Sequence, residues 1–165
     1  MGKKISLLIT LFIVSGMIGL PWLYKAATDP VTDGKEKAVQ RAKEETDLQE
    51  VNSVDWFHYK HSYYVIDGKD RKGTEVFVCV PYDPQDKIII VNKNDGLSEE
   101  EAIRVLNSGS LNIANDKRPK KIIDIKPGVV NDSPAYKITY IDMEDRYSFL
   151  YIDFYKGEWY RIYNL

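Results

Sequence analysis

From Ile5 to Leu23 the chain runs nineteen residues without a charge, directly after Lys3 and Lys4. A helix rising about 1.5 Å per residue needs roughly 20 apolar residues to cross a hydrocarbon core of about 30 Å. The run meets that length. It is apolar on every face, so it has no polar stripe to turn to water as a core helix of a soluble domain would. Lys3 and Lys4 favour a cytoplasmic N-terminus, and Trp22 and Tyr24 suit the far interface, where amphipathic rings collect. A cleaved signal peptide is the rival. It wants an apolar core of about 7–15 residues and small residues before the cut. Here Lys25 occupies the position where cleavage after Ala27 would need a small side chain. The expectation is an uncleaved anchor: a cytoplasmic tail over residues 1–4, a membrane span over 5–24, a linker over 25–34, and the rest of the chain outside.

Composition narrows what that outer part is. It carries 21 Lys and Arg against 25 Asp and Glu, which argues against a general nucleic-acid or anionic-lipid surface. That argument concerns the mean, and a local basic run, Lys117-Arg118-Pro119-Lys120-Lys121, survives it. Of 20 aromatic residues, 17 lie from Trp56 onward, enough to build a core from strands. The single cysteine, Cys79, excludes an intramolecular disulfide, so an exported domain of this kind must rely on its core. That fits the outer face of a Gram-positive membrane, where export does not imply oxidation.

Beyond the linker the pattern reads as one unit used twice. Asp33 and Glu36 are spaced as a capping box, and Lys35 to Glu50 is rich in helix formers with a thin apolar stripe of Ala38, Val39 and Ala42. Strands are expected at Ser53–Ile66, Thr74–Val80 and Lys87–Val91, with turns at Asp67–Gly73 and Asn94–Gly96. Leu97-Ser98-Glu99-Glu100-Glu101-Ala102 then starts a second helix, with Ser98 as cap and Glu101 closing the box, and Gly109 can end it. Strands follow at Lys121–Ile125, Ala135–Asp142, Arg146–Tyr155 and Glu158–Tyr163. Helix followed by consecutive strands predicts α+β with antiparallel sheet. The predicted domains are 35–95 and 96–165, each a helix on an antiparallel meander. In the last strands Leu150, Ile152 and Phe154 alternate with Phe149 and Tyr151, so both faces are apolar. A helix covers one face only; the other must meet the first unit, a partner or solvent.

No motif for chemistry stands out. His58 and His61 fall on opposite sides of a strand, and no further ligand lies at metal-site spacing. Glu99, Glu100 and Glu101 suit the positive end of a helix dipole. Gly68, Gly73 and Gly128 read as turn glycines, with no phosphate-cradling loop. Ser62 and Ser133 lack the setting of a strained nucleophile turn. Cys79, inside Val76–Val80, reads as a small buried residue. The expectation is no enzyme, no cofactor, no metal, no nucleic acid and no small-molecule substrate. What remains is contact through aromatic side chains. The candidates for partner binding are Trp56, Tyr59, Tyr64, Phe149, Tyr151 and Trp159.

A short charged N-terminus, one anchor helix and two helix-plus-meander units resemble the TseB (YpmB) family of cell-wall elongation regulators of Gram-positive bacteria. The two outer units look like PepSY, a cystatin-like α+β module. Leu97-Ser98-Glu99-Glu100-Glu101-Ala102 is similar to the PepSY helix start, and Tyr155-Lys156-Gly157-Glu158-Trp159 to its closing hairpin. Asp33-Gly34-Lys35-Glu36-Lys37-Ala38 is a looser match, and the first unit lacks that closing hairpin. The resemblance implies a non-enzymatic role exerted on a class B penicillin-binding protein, a peptidoglycan transpeptidase in the same membrane. Inhibition of an exported peptidase and peptidoglycan sensing through exposed aromatics are the alternatives.

Overall fold

The structure is a computed structural model and describes residues 33–165. The expected tail and membrane span, and all but the end of the linker, lie outside the described residues. Among the described residues no helix is long and apolar enough to cross a membrane.

The first helix, α1, spans residues 33–45. Its outward charges pair along the helix, as in Arg41 with Glu45 at 2.8 Å. Its thin stripe is Ala38 and Ala42, both buried. Small side chains at i and i+4 let the helix sit close to a sheet, over Ile66, Val76, Val78 and Val80. Helix formers continue to Glu50, yet α1 stops earlier. Thr46 turns its hydroxyl back to the Ala42 carbonyl at 2.6 Å, and Leu48 is drawn into the core as the first residue of β1 (Leu48–His58). Burial of Leu48 on the sheet outweighs the helix propensity of the residues around it.

The segment expected as one strand, Ser53–Ile66, is two. The chain reverses at Tyr59-Lys60-His61, where the Tyr59 amide donates to the His61 carbonyl at 3.2 Å, and β2 runs Ser62–Asp70. With β3 (Glu75–Pro81) and β4 (Ile89–Asn92) this makes a four-stranded antiparallel meander, β1-β2-β3-β4. Gly68 therefore lies inside β2 and not in a turn; Gly73, at φ +81°, is the turn glycine. β3 is buried from Val76 to Pro81, because α1 covers one face of this sheet and the second half of the chain covers the other.

A short 3₁₀ turn at Lys93–Asp95 leads to α2 (Glu99–Asn107). The expected capping box is present: the Ser98 hydroxyl accepts from the Glu101 amide, and the Glu101 carboxylate accepts from the Ser98 amide. The second meander is β5-β6-β7-β8: β5 (Pro119–Val130), β6 (Ser133–Asp142), β7 (Tyr147–Asp153) and β8 (Trp159–Asn164). β5 runs five residues past the expected Ile125, through Gly128, to a two-residue hairpin at Asn131-Asp132. Both turn residues are left-handed, at φ 49° and 62°, the geometry that short hairpins demand and that Asn and Asp tolerate. Gly128 is thus a strand glycine. A Cβ there would land on the Phe57 ring of β1, so its absence is what lets the two sheets approach.

Alternation sorts the second sheet into two faces. Tyr136, Ile138 and Tyr140 of β6 pair with Ile152, Leu150 and Ser148 of β7, and all six are buried. Ala102 and Leu106 of α2 join the same core. The hydroxyls of Tyr136 and Tyr140 reach carbonyls at Leu97 and Lys117, at 2.8 and 2.9 Å. That core is continuous with the inner face of the first sheet through Phe57, Val65, Phe77 and Cys79.

Candidate functional site

Cys79 is fully enclosed and burial pushes its thiol up to about 12, so it holds no thiolate at neutral pH. The His58 ring nitrogen Nδ1 lies 2.9 Å from the Ser62 hydroxyl across the β1–β2 turn, and His61 is the last residue of that turn. Among the described residues no group of His, Cys, Asp or Glu is arranged to hold a metal.

Between the sheets lies a cleft of about 280 Å³ lined by Asp55, Asp67, Glu99, Asp124 and Lys126. Its lysine, and Lys93 nearby, are spent on ion pairs. Lys126 of β5 reaches Asp55 of β1 at 2.7 Å, and Lys93 reaches Asp67 at 2.6 Å. Hydrogen bonding to Asp55 is the main influence holding the Lys126 pKa above its ordinary value. Desolvation raises Glu99. The Lys126–Asp55 pair joins one sheet to the other, and the cleft reads as a polar seam.

The six candidate contact residues fall into three places. Trp56 and Tyr64 are cross-strand partners on the α1 side of the first sheet, in an edge contact with ring centroids 4.9 Å apart, and Trp56 also meets Tyr82 at 5.8 Å. Trp56 is 43% exposed and Tyr82 69%, while Tyr64 is half-buried against the core under α1.

Tyr59, Phe149 and Tyr151 meet on the second face of the second sheet. Tyr151 is only 5% exposed, closed over by Phe57 and Tyr59 with centroids at 6.2 and 5.0 Å. It is part of the contact between the sheets and so is not offered to a partner. Beyond it the face opens. Phe149 lies between Tyr147 on its own strand and Tyr163 on β8, and the last two are exposed. Lys137 stands over the Phe149 ring at 4.3 Å, and Arg161 over Tyr163 at 5.6 Å. Neither cation has an ion-pair partner among the described residues.

Trp159 stands elsewhere, on the outer strand β8, 45% exposed beside Tyr160. The sequence reading missed Tyr147, Tyr163, Lys137 and Arg161. Tyr147 shares the parity of Phe149 and Tyr151 and was legible by alternation. The others needed the β6–β7–β8 register, which places Lys137 opposite Tyr151 and Tyr163 opposite Phe149.

These features define an α+β protein of two four-stranded antiparallel meanders that presents an aromatic face with Lys137 and Arg161 over two of its rings. A sequence model of the family described as "Cell wall elongation regulator TseB-like domain" matches residues 37–81, from α1 to the end of β3. The chain is 35% identical over 136 residues to "Probable cell wall elongation regulator TseB" of Bacillus subtilis (strain 168), spanning 82% of this chain and 80% of that protein. It superposes on the solved structure titled "YpmB protein from Bacillus subtilis" with a TM-score of 0.71 at 32% identity, over 80% of this chain and 98% of that one. The chain belongs to the TseB (YpmB) family of cell wall elongation regulators.

Proposed function

We propose that the protein is a membrane-anchored regulator of cell wall elongation that acts by contact, without catalysis, on a class B penicillin-binding protein. Kinship with a protein named as an elongation regulator carries this reading. The apolar run Ile5–Leu23 after two lysines supports an anchor with the N-terminus inside and the sheets outside. Each sheet with its helix, 35–95 and 96–165, is a cystatin-like, PepSY-like unit in this reading. The exposed rings of Tyr147 and Tyr163, with Lys137 and Arg161 beside them, support a protein-binding role, since aromatic and arginine side chains dominate binding hot spots. A cation already covers the face of Phe149 that a sugar ring would need, which favours a protein over a glycan partner. Anchoring both proteins in one membrane raises their effective concentration, so a weak contact suffices.

The test is capture from solubilised membranes. The full chain should enrich a protein that labels with fluorescent penicillin, and an unrelated domain on the same anchor should not. Equal recovery of labelled protein by the two baits would refute the reading. Replacing Tyr147 and Tyr163 by Ala should lower the enrichment while leaving the fold intact.

A further inference from the structure

The second sheet ends on an edge that the other edges of the fold make conspicuous. β1 and β5 each carry two register shifts, and β4 is four residues long; bulging and shortness are both devices that blunt an edge. β8 has neither along most of its length. Its one irregularity falls between its first pairs, and Arg161, Ile162, Tyr163 and Asn164 pair in unbroken register with β7. It carries no proline and no lysine. Among the described residues its outer row of backbone groups has no strand beside it in the sheet.

A groove of about 390 Å³ runs along this edge. Four consecutive residues of β8, Trp159 to Ile162, form one wall, from the register shift at Tyr160 into the unbroken pairs at Arg161 and Ile162, and the segment from Asn112 to Lys117 forms the other. Side chains of both parities line it, so the groove follows the strand's edge and not one of its faces. Among the described residues Lys117 and Arg161 line it and no carboxylate does, in a chain whose formal net charge is −2. Neighbouring acids are turned elsewhere: Asp116 pairs with Arg146 at 3.2 Å, and Asp153 accepts from the Tyr160 hydroxyl at 2.7 Å. Neither Lys117 nor Arg161 has an ion-pair partner among the described residues. The basic run noted in the sequence thus begins at the groove.

We propose that this groove receives an extended acidic segment of a partner protein, which adds to β8 as a fifth strand of the second sheet. Strand addition draws affinity from backbone hydrogen bonds and specificity from alternate side-chain positions. Here Lys117 and Arg161 would select carboxylates, and Trp159 and Ile162 the apolar residues between them. The inference rests on the protein-contact reading above and names the chemistry of the partner.

The probe is a fluorescein-labelled ten-residue peptide alternating glutamate and valine, titrated into the full chain in detergent micelles. Its lysine-and-valine counterpart is the control. The acidic peptide should raise anisotropy and the basic one should not, and amide exchange over residues 159–164 should slow. Lys117→Glu with Arg161→Glu should weaken the acidic peptide by about tenfold or more, with an unchanged circular dichroism spectrum because both residues are exposed. No binding by the wild type overturns the proposal. So do equal binding of both peptides, binding with no slowing over 159–164, and displacement by a soluble muropeptide. Capture of penicillin-labelled protein separates the two claims. If Lys117→Glu alone, which leaves Arg161 and the aromatic face intact, captures as well as the wild type and the acidic peptide does not bind the wild type, the groove fails and the regulator reading stands. If the peptide binds but capture fails, the reverse holds.

Discussion

Asp142 is a charged residue with no solvent contact. Burial alone would raise its pKa. Hydrogen bonds from the Arg146 backbone and side chain and from the Glu144 backbone, together with the Arg146 charge, bring it below its ordinary value. The guanidinium sits at 2.7 Å, and Asn164 of β8 donates to the same carboxylate at 3.2 Å. One carboxylate therefore holds the β6–β7 turn and ties in the last strand. Because its folded pKa is depressed, the stability it contributes is fully present above the unfolded value of about 3.9 and is lost as pH falls through the folded value. Thermal melts from pH 7 downward should show the wild type losing stability below about pH 4. Asp142→Asn should melt lower at pH 7 and lose less on acidification. A parallel decline of the two proteins would mean the carboxylate is not the group that titrates.

At the scale of elements, α2 is nine residues long, too short to persist in water without help from its ends and its packing. Its start is secured by the reciprocal Ser98–Glu101 bonds, which also hold Glu101 below its ordinary pKa. Ser98→Ala should cost about 1 kcal/mol in urea unfolding, the usual worth of an N-cap, with no change of slope. Asn at the same position should retain most of that stability. α1 offers a contrast. It holds by two buried alanines seated on the sheet, with Val39 packed beside them. Replacing Ala42, which has no exposed surface, by a larger residue would lift the helix from Ile66 and Val78.

For the whole molecule, what matters is how the two sheets meet. Gly128 of β5 against Phe57 of β1, Tyr151 under Phe57 and Tyr59, and the Lys126–Asp55 pair form that contact. The ion pair is well exposed, so on its own it contributes at most about 1 kcal/mol. The packing carries more. Gly128→Ala should destabilise by about 1–3 kcal/mol, because the Phe57 ring must leave its place. Tryptophan fluorescence and amide exchange should report the loss in both sheets at once, since they share a buried cluster. Loss confined to one sheet would show that the sheets unfold independently.

Much of this fold was legible in the residues themselves. Alternation and turn signals placed five of the eight strands to within two residues, and the box at Ser98 was read correctly from spacing alone. The split of the first expected strand was not legible. Tyr59-Lys60-His61 contains none of the Gly, Pro, Asn or Asp that usually mark a reversal, and its aromatic flanks read as continuous strand. Local pattern determined the α+β class, the meander of the second half and the shared face of Phe149 and Tyr151, because these follow from turn signals and from periodicity along one strand. Which aromatics remain available was decided by tertiary structure. Parity assigns Phe149 and Tyr151 to one face, but only the approach of β1 buries Tyr151 and leaves Tyr147 and Tyr163 open. The same holds for the edge of β8: strand order and the placing of the 112–117 segment arise from contacts between residues far apart in the chain, and those contacts leave no periodic trace along it.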